Sequence, residues 1–146
     1  MEIKYEIRET NEFGKGIFSN ENIKKGALIW SYKINENVFE YNEQQSIAHL
    51  TSLPTLTAQQ QFLDYVFGKG ELLCLITDDN LYMNHASAPD CNCLTDIISG
   101  NCYAMRDIIE GEQLYEDYVS FSHPPFLYAL LEKYQCKPTY YELPLQ

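Results

Sequence analysis

The side chains best suited to chemistry lie in two runs and one glycine-rich turn. The first run is Tyr82-Met83-Asn84-His85-Ala86-Ser87-Ala88-Pro89-Asp90-Cys91-Asn92; the second extends from Ala104 to Tyr118 and ends Leu114-Tyr115-Glu116-Asp117-Tyr118. Asn-His followed by a Pro-Asp-Cys-Asn turn puts an amide, an imidazole and open peptide groups where a strand gives way to a tight loop, a polar corner able to hold a ligand. The second run reads as a short strand from Cys102 to Arg106, a turn at Glu110-Gly111-Glu112, and a strand-like run that delivers the Tyr118 phenol at its end. In Gly14-Lys15-Gly16 the backbone can approach a ligand with no Cβ in the way, although such a pair standing alone more often marks a hairpin turn. Twelve tyrosines supply aromatic faces that favour cations and hydroxyls that orient polar groups. Cys91, Cys93, Cys102 and His85 could meet around zinc, but they lack the paired Cys-x-x-Cys spacing, so no metal is assigned.

Short strands must position these groups. Residues from Glu2 to Thr10 alternate apolar and charged, the period of a half-buried strand, and the Gly-x-Gly stretch follows at once. Leu28 to Tyr32 and Glu36 to Tyr41 are rich in aromatic and β-branched residues and read as strands about a turn at Asn35. From Gln44 to about Phe67 the period changes, and Thr57 is the expected N-cap of a helix beginning at Ala58. His49 in this insert reads as a surface or packing residue. Glu71 to Thr77 is an apolar strand, and Asp78-Asp79-Asn80 is the turn feeding Tyr82 to His85. Beyond Tyr118, Phe126, Leu127, Leu130, Leu131 and Tyr134 fall on one helical face, with Pro124-Pro125 at its start.

Composition narrows the classes. A chain of 146 residues, 45% hydrophobic, predicts one domain with a proper core. Ten basic against 21 acidic residues give a net charge of −11, which disfavours a nucleic-acid ligand and suits a basic peptide as well as simple solubility. No signal-like segment is evident, and no apolar run approaches the roughly 18 residues that cross a bilayer, so the expectation is a soluble intracellular protein. Five scattered cysteines are expected as reduced thiols.

Asn-His-x-x-x-Pro, then Arg-Asp-Ile-x-x-Gly-Glu-x-Leu-x-x-Asp-Tyr, with Gly-x-Gly-x-Phe upstream, resembles the SET domain, the S-adenosylmethionine-dependent protein-lysine methyltransferase family. The resemblance implies a mainly β fold of small curved sheets, β-clip-like, with few helices. It also implies a pseudoknot between the Asn-His strand and the Asp-Tyr segment, and a terminal helix. A single SET domain would span residues 1–146, its core about 3–118 and a divergent helical segment at 119–146. Gly14, Lys15 and Gly16 would lie along the cofactor's methionine moiety with Tyr82 in the same set, Asn84 would hold its amino group, and His85 would meet the adenine through its backbone. Tyr118 would aim its hydroxyl at the transferring methyl, and Tyr32 would line the lysine channel. The products would be methylated lysine in a basic segment, such as a histone tail, and S-adenosylhomocysteine.

The chain departs from the family pattern in several places. Ala86 stands for the usual serine, Asp90 for asparagine with Asn92 displaced, and Glu116 for phenylalanine or tyrosine. Glu116 facing the lysine channel would oppose deprotonation of the amine; facing elsewhere it would not. Many relatives close the channel with a cysteine-rich zinc segment, whereas here the terminal helix and Tyr140-Tyr141 would supply the wall. Arg106 and Asp107 are expected to fix the turn rather than to do chemistry. The alternative reading is a non-catalytic SET-like module that binds a protein partner.

Overall fold

The computed structural model describes residues 1–136, which gather into two compact units. One joins residues 1–33 to 77–118; the other joins residues 34–76 to the chain after 118. The architecture is mainly β, with several small sheets and, among the described residues, three helices. None of those helices is long and apolar enough to cross a membrane.

In the first unit β1 (Tyr5–Thr10) and β2 (Gly14–Ser19) form an antiparallel hairpin, in register from Tyr5↔Ser19 to Thr10↔Gly14. Gly14 has φ +72°, left-handed backbone in which an L side chain is strained, and so closes the turn. A five-stranded sheet is built from β3 (Leu28–Trp30), β7 (Asn84–His85), β8 (Cys93–Thr95), β9 (Cys102–Ala104) and β10 (Tyr115–Glu116), in the order β3-β9-β8-β10-β7. The last strand in sequence is thus inserted between two earlier ones and runs parallel to both, with Tyr115↔Asn84, Glu116↔His85 and Glu116↔Cys93 as partners. The link from Ala86 to Asn92 must therefore pass across β10, the threaded crossing that the resemblance implies and that connections elsewhere avoid.

Tyr82 ends a 3₁₀ turn, Asp79–Tyr82, rather than opening the strand. Two aromatic donors anchor that turn. Trp30 Nε1–H donates to the Asp78 carboxylate at 2.9 Å, Asp78 caps the turn through the Asn80 N–H at 3.0 Å, and the Tyr5 hydroxyl donates to Asp79 at 2.7 Å. The hydrogen bond to Asp79, with burial, pushes the Tyr5 phenol up to about 12. At the far turn, Asp107 accepts the Lys25 N–H at 2.8 Å and Arg106 reaches Glu112 at 3.1 Å, a half-exposed pair worth about 0–1 kcal/mol.

The second unit packs a three-stranded antiparallel sheet, β4 (Val38–Tyr41), β6 (Leu72–Ile76) and β5 (Phe67–Lys69), in the order β4-β6-β5. With it lie α1 (Glu43–Ser52), α2 (Leu56–Tyr65) and α3 (Pro125–Lys133). Their core is Leu50, Phe62, Leu63, Val66, Leu73, Leu127, Leu130, Leu131 and Tyr134, each large aliphatic side chain contributing about 1.5–3 kcal/mol on burial. Pro125 takes the first helical position of α3 as the sequence predicts. His49 is a packing residue, its ring 4.6 Å from Phe62 and 5.2 Å from Tyr41.

The expected cap at Thr57 is corrected. Thr55 caps α2, its hydroxyl accepting the Ala58 N–H at 3.1 Å, because that acceptor must lie three residues before the amide it serves and Thr57 is already helical. The α1 helix begins with a reciprocal capping box, Asn42 and Gln45 each bonding the other's N–H. Tyr140 and Tyr141 lie outside the described residues.

Gly68 and Gly70 separate two ways in which a glycine is required. A Cβ at Gly68 would stand 1.9 Å from the Ser122 carbonyl oxygen and 2.7 Å from His123 Cα, both backbone, whereas one at Gly70 meets nothing within 4 Å but has φ +61°. Gly68→Ala is expected to cost about 3 kcal/mol or more, and Gly70→Ala about 1–2 kcal/mol. Urea melts of the two variants check this, and equal losses would refute the backbone clash.

Candidate functional site

At Gly16 the β2 strand passes close to Asn84 and Gln113, and there the absent side chain matters more than any turn. A Cβ there would lie 2.4 Å from Gln113 Oε1 and 3.1 Å from Asn84 Nδ2. The space so freed holds an amide relay. Asn84 Nδ2 donates both to the Lys15 carbonyl at 3.0 Å and to Gln113 Oε1 at 3.0 Å, and Gln113 Nε2 donates to the Tyr115 hydroxyl at 2.8 Å. Both donors of the Asn84 amide are thus used, which fixes its rotation and leaves Oδ1 as an acceptor. Lys15 Nζ stands over the Tyr82 ring, 5.3 Å from its centre. Gly14, Lys15, Gly16, Tyr82 and Asn84 are therefore brought to one place.

His85 and Tyr118 are brought together at the end of the same strand pair. The imidazole accepts the Tyr118 N–H at Nδ1, 2.9 Å away, with the ring centres 5.3 Å apart and an Asp117 oxygen 3.8 Å from Nδ1. The Tyr118 hydroxyl donates to the Met83 carbonyl. A hydroxyl that has given its proton to a carbonyl acts toward any further group as an acceptor. His85 thus has a side-chain role, seating Tyr118, that sequence reasoning missed. Gln113 was missed as well, although its spacing of two from Tyr115 puts both on one face of a strand.

Tyr32 is placed by a different set of partners. Its N–H donates to Asn101 Oδ1 at 2.8 Å, its ring meets Trp30 edge-on at 5.9 Å, and it lies so close to Gly100 that a Cβ there would fall 2.4 Å from Cδ2.

Glu116 is enclosed within the sheet, 5% exposed. The cysteines are free thiols, and among the described residues no three metal-ligating side chains stand together.

Beside the relay opens a cleft of about 520 Å³ lined by Phe13, Phe18, His85, Ala86, Gln113 and Tyr115, with Glu12, Asp90 and Glu112 adding negative charge and Arg106 held by Glu112. Phe13 and Tyr115 meet edge-on with centres 6.3 Å apart. Burial, then the Glu12 and Asp90 charges, raise the Tyr115 phenol, so that it stays neutral. Aromatic faces, amides and acidic groups suit a planar heterocycle or an organic cation better than a phosphate.

Comparison with known proteins identifies the family. The SET domain family matches residues 14–119. Among solved structures, a Plasmodium falciparum protein described as a "putative histone methyltransferase" is 19% identical, with a TM-score of 0.53 over 86% of this chain and 99% of that one. The ctPRC2 complex, in an autoinhibited conformation bound to S-adenosylmethionine, is 16% identical with a TM-score of 0.64; the match covers 91% of this chain and 17% of that one. No curated protein matches the chain by sequence. Because the family match takes in both runs of the corner and the strand threaded between them, the chain belongs to the SET-domain family.

Proposed function

We propose that the chain is a protein-lysine methyltransferase that uses S-adenosylmethionine and acts on a basic segment such as a histone tail. The observation that carries this reading is Asn84, its amide fixed by the Lys15 carbonyl and Gln113 so that Oδ1 remains as an acceptor. An acceptor there suits an amino group, and the missing Cβ at Gly16 is what lets the Asn84 and Gln113 amides pack close enough to hold that orientation. S-adenosylmethionine, when bound, supplies an electrophilic methyl on a sulfonium and leaves as S-adenosylhomocysteine.

The chain's own groups then have distinct tasks. Gly14, Lys15 and Gly16 offer peptide groups, Tyr82 an aromatic face, and the cleft at His85 and Ala86 a place for a purine. Tyr118, seated by His85 and by the Met83 carbonyl, presents oxygen acceptor capacity that holds a methyl in line through weak C–H···O contacts. The amine must be neutral to attack, and burial among aromatic walls, Tyr32 contributing one, lowers its pKa by disfavouring the charged form. A net charge of −11 attracts the basic segment. Alignment, more than acid or base strength, is what these groups provide.

Isothermal titration with S-adenosylmethionine is expected to show saturable binding that weakens roughly 10- to 100-fold in Asn84→Ala, the loss of one hydrogen bond to a charged group. Tyr118→Phe is expected to bind with affinity close to that of wild type yet lose most radiolabelled methyl transfer to core histones. Binding without transfer in the wild type would favour the non-catalytic module instead.

Gly16→Ala separates fit from stability. The atom in the way is the end of the flexible Gln113 side chain, so the melting temperature should fall by no more than a few degrees while the Asn84 side-chain amide resonances shift and cofactor affinity drops. Unchanged affinity would mean that the Gly16 backbone is not part of the site.

A further inference from the structure

The β10 strand is only two residues long, Tyr115 and Glu116, yet it carries the chain to Tyr118. Its main-chain bonds are few. The Ala86 N–H donates to the Glu116 carbonyl at 3.0 Å on one side, and on the other the Asn92 N–H donates to the Tyr115 carbonyl at 3.1 Å. The Glu116 side chain adds a second kind of tie. Its carboxyl, 5% exposed, has the Thr95 hydroxyl oxygen 2.9 and 3.0 Å from its two oxygens and accepts the Cys102 thiol at 2.9 Å, reaching β8 and β9 at once.

No ion pair supports that carboxyl among the described residues. The titratable groups facing it are the Cys93 and Cys102 thiols from β8 and β9. On β7 stands its partner His85, whose Nδ1 is occupied by the Tyr118 N–H, and Asp117 is its own chain neighbour. Of these groups, only the Cys102 thiol bonds the carboxyl. A buried carboxylate without a cation is unfavourable, and a neutral carboxylic acid is the form that such surroundings accept.

We propose that Glu116 is the positioning residue of the Tyr118 corner, an un-ionised acid that donates from Oε2 to the Thr95 oxygen, accepts the Cys102 thiol at Oε1, and so clamps the inserted strand to β8 and β9. The effect on turnover rests on the methyltransferase reading above; the clamp itself does not. Burial raises the Glu116 carboxyl above the usual carboxylate range, outweighing the Cys102 and Thr95 hydrogen bonds that lower it, and the bond with Cys93 together with burial raises the Cys102 thiol well up, so Cys102 remains a donor. The folded chain therefore keeps a proton that the unfolded chain has already released. Its stability falls as pH rises from the ordinary glutamate range through the raised value. Ionisation leaves a charge inside the sheet, loosens β10, and moves Tyr118 off Met83 and His85.

The test uses the full chain, ¹³C-labelled at glutamate carboxyls and tyrosine rings, followed by NMR from about pH 5 to about pH 9. Glu116→Gln identifies the Glu116 carboxyl signal by its loss. The expected result is a Glu116 carboxyl that titrates above the other glutamates, with the Tyr118 ring signal moving at the same midpoint. In Glu116→Gln the Tyr118 signal should hold its low-pH position throughout, and the melting temperature should no longer fall over that range. Glu116→Ala, lacking the clamp, should show the displaced Tyr118 signal at every pH. Titration of Glu116 with the ordinary glutamates would overturn the proposal, as would a Tyr118 shift that persists in Glu116→Gln or an undisplaced signal in Glu116→Ala. Where methyl transfer is measurable, the wild type should lose kcat at that midpoint and Glu116→Gln should not. Absence of any transfer would count against the methyltransferase reading while the NMR result still decides the clamp.

Discussion

Everything placed around Asn84 and Tyr118 depends on a two-residue strand being held between two others. Such a strand has too few peptide groups to hold itself by a ladder alone, and side chains take over the task. Asn92, 1% exposed, does so for Tyr115: its Oδ1 accepts the Tyr115 N–H at 2.8 Å and its Nδ2 donates to the Gln113 carbonyl at 2.9 Å. An asparagine side chain used in this way copies a neighbouring strand's peptide. With its own N–H bonded to the Tyr115 carbonyl, Asn92 supplies three ties to one short segment. Each is worth about 1 kcal/mol, and leaving any of these groups buried and unmatched costs about 1–3 kcal/mol. The crossing loop and the inserted strand are therefore stable only together.

The same logic ranks the polar groups nearby. Arg106 and Glu112 form an ion pair, but with Arg106 44% exposed it adds little beyond holding the turn. The uncharged relay from Lys15 through Asn84 and Gln113 to Tyr115 carries more information, because each amide has one orientation that satisfies it. Orientation is what a site for an aligned displacement requires. Rigid amides supply it without adding a charge, which suits the cationic cofactor proposed above.

How much of this is legible in the sequence divides by range. Asn-His, Asp-Tyr and Gly-x-Gly are readable because their neighbours are local: a turn, a strand end, a glycine. The amphipathic spacing of Leu127, Leu130, Leu131 and Tyr134 is readable for the same reason, and these residues are core. The cap at Thr55 instead of Thr57 turns on which hydroxyl meets an amide three residues on, a distinction finer than a propensity pattern can make. Tyr82 falls in a 3₁₀ turn because Asp78 bonds Trp30, 48 residues away in sequence, and nothing local signals that bond. The gathering of residues into two units was likewise hidden, since each combines stretches far apart along the chain. The displaced asparagine at Asn92 reads as a weakened network, yet it is the residue that secures the threaded strand.

Glu116 shows how a departure from the family pattern can be accommodated by its surroundings. An acid facing apolar side chains across a sheet would break it. Here the two residues that reach the carboxyl are Thr95 and Cys102, partners of each other in the β8–β9 register. Both are small, both can donate, and neither brings a charge. A ring at position 116 would leave the Thr95 hydroxyl and the Cys102 thiol without this acceptor, while an acid there without those donors would be a buried group with no match. The three residues are consistent as a set and costly singly. The choice at 116 is thus tied first to the sheet's interior, and only through it to Tyr118 two residues on.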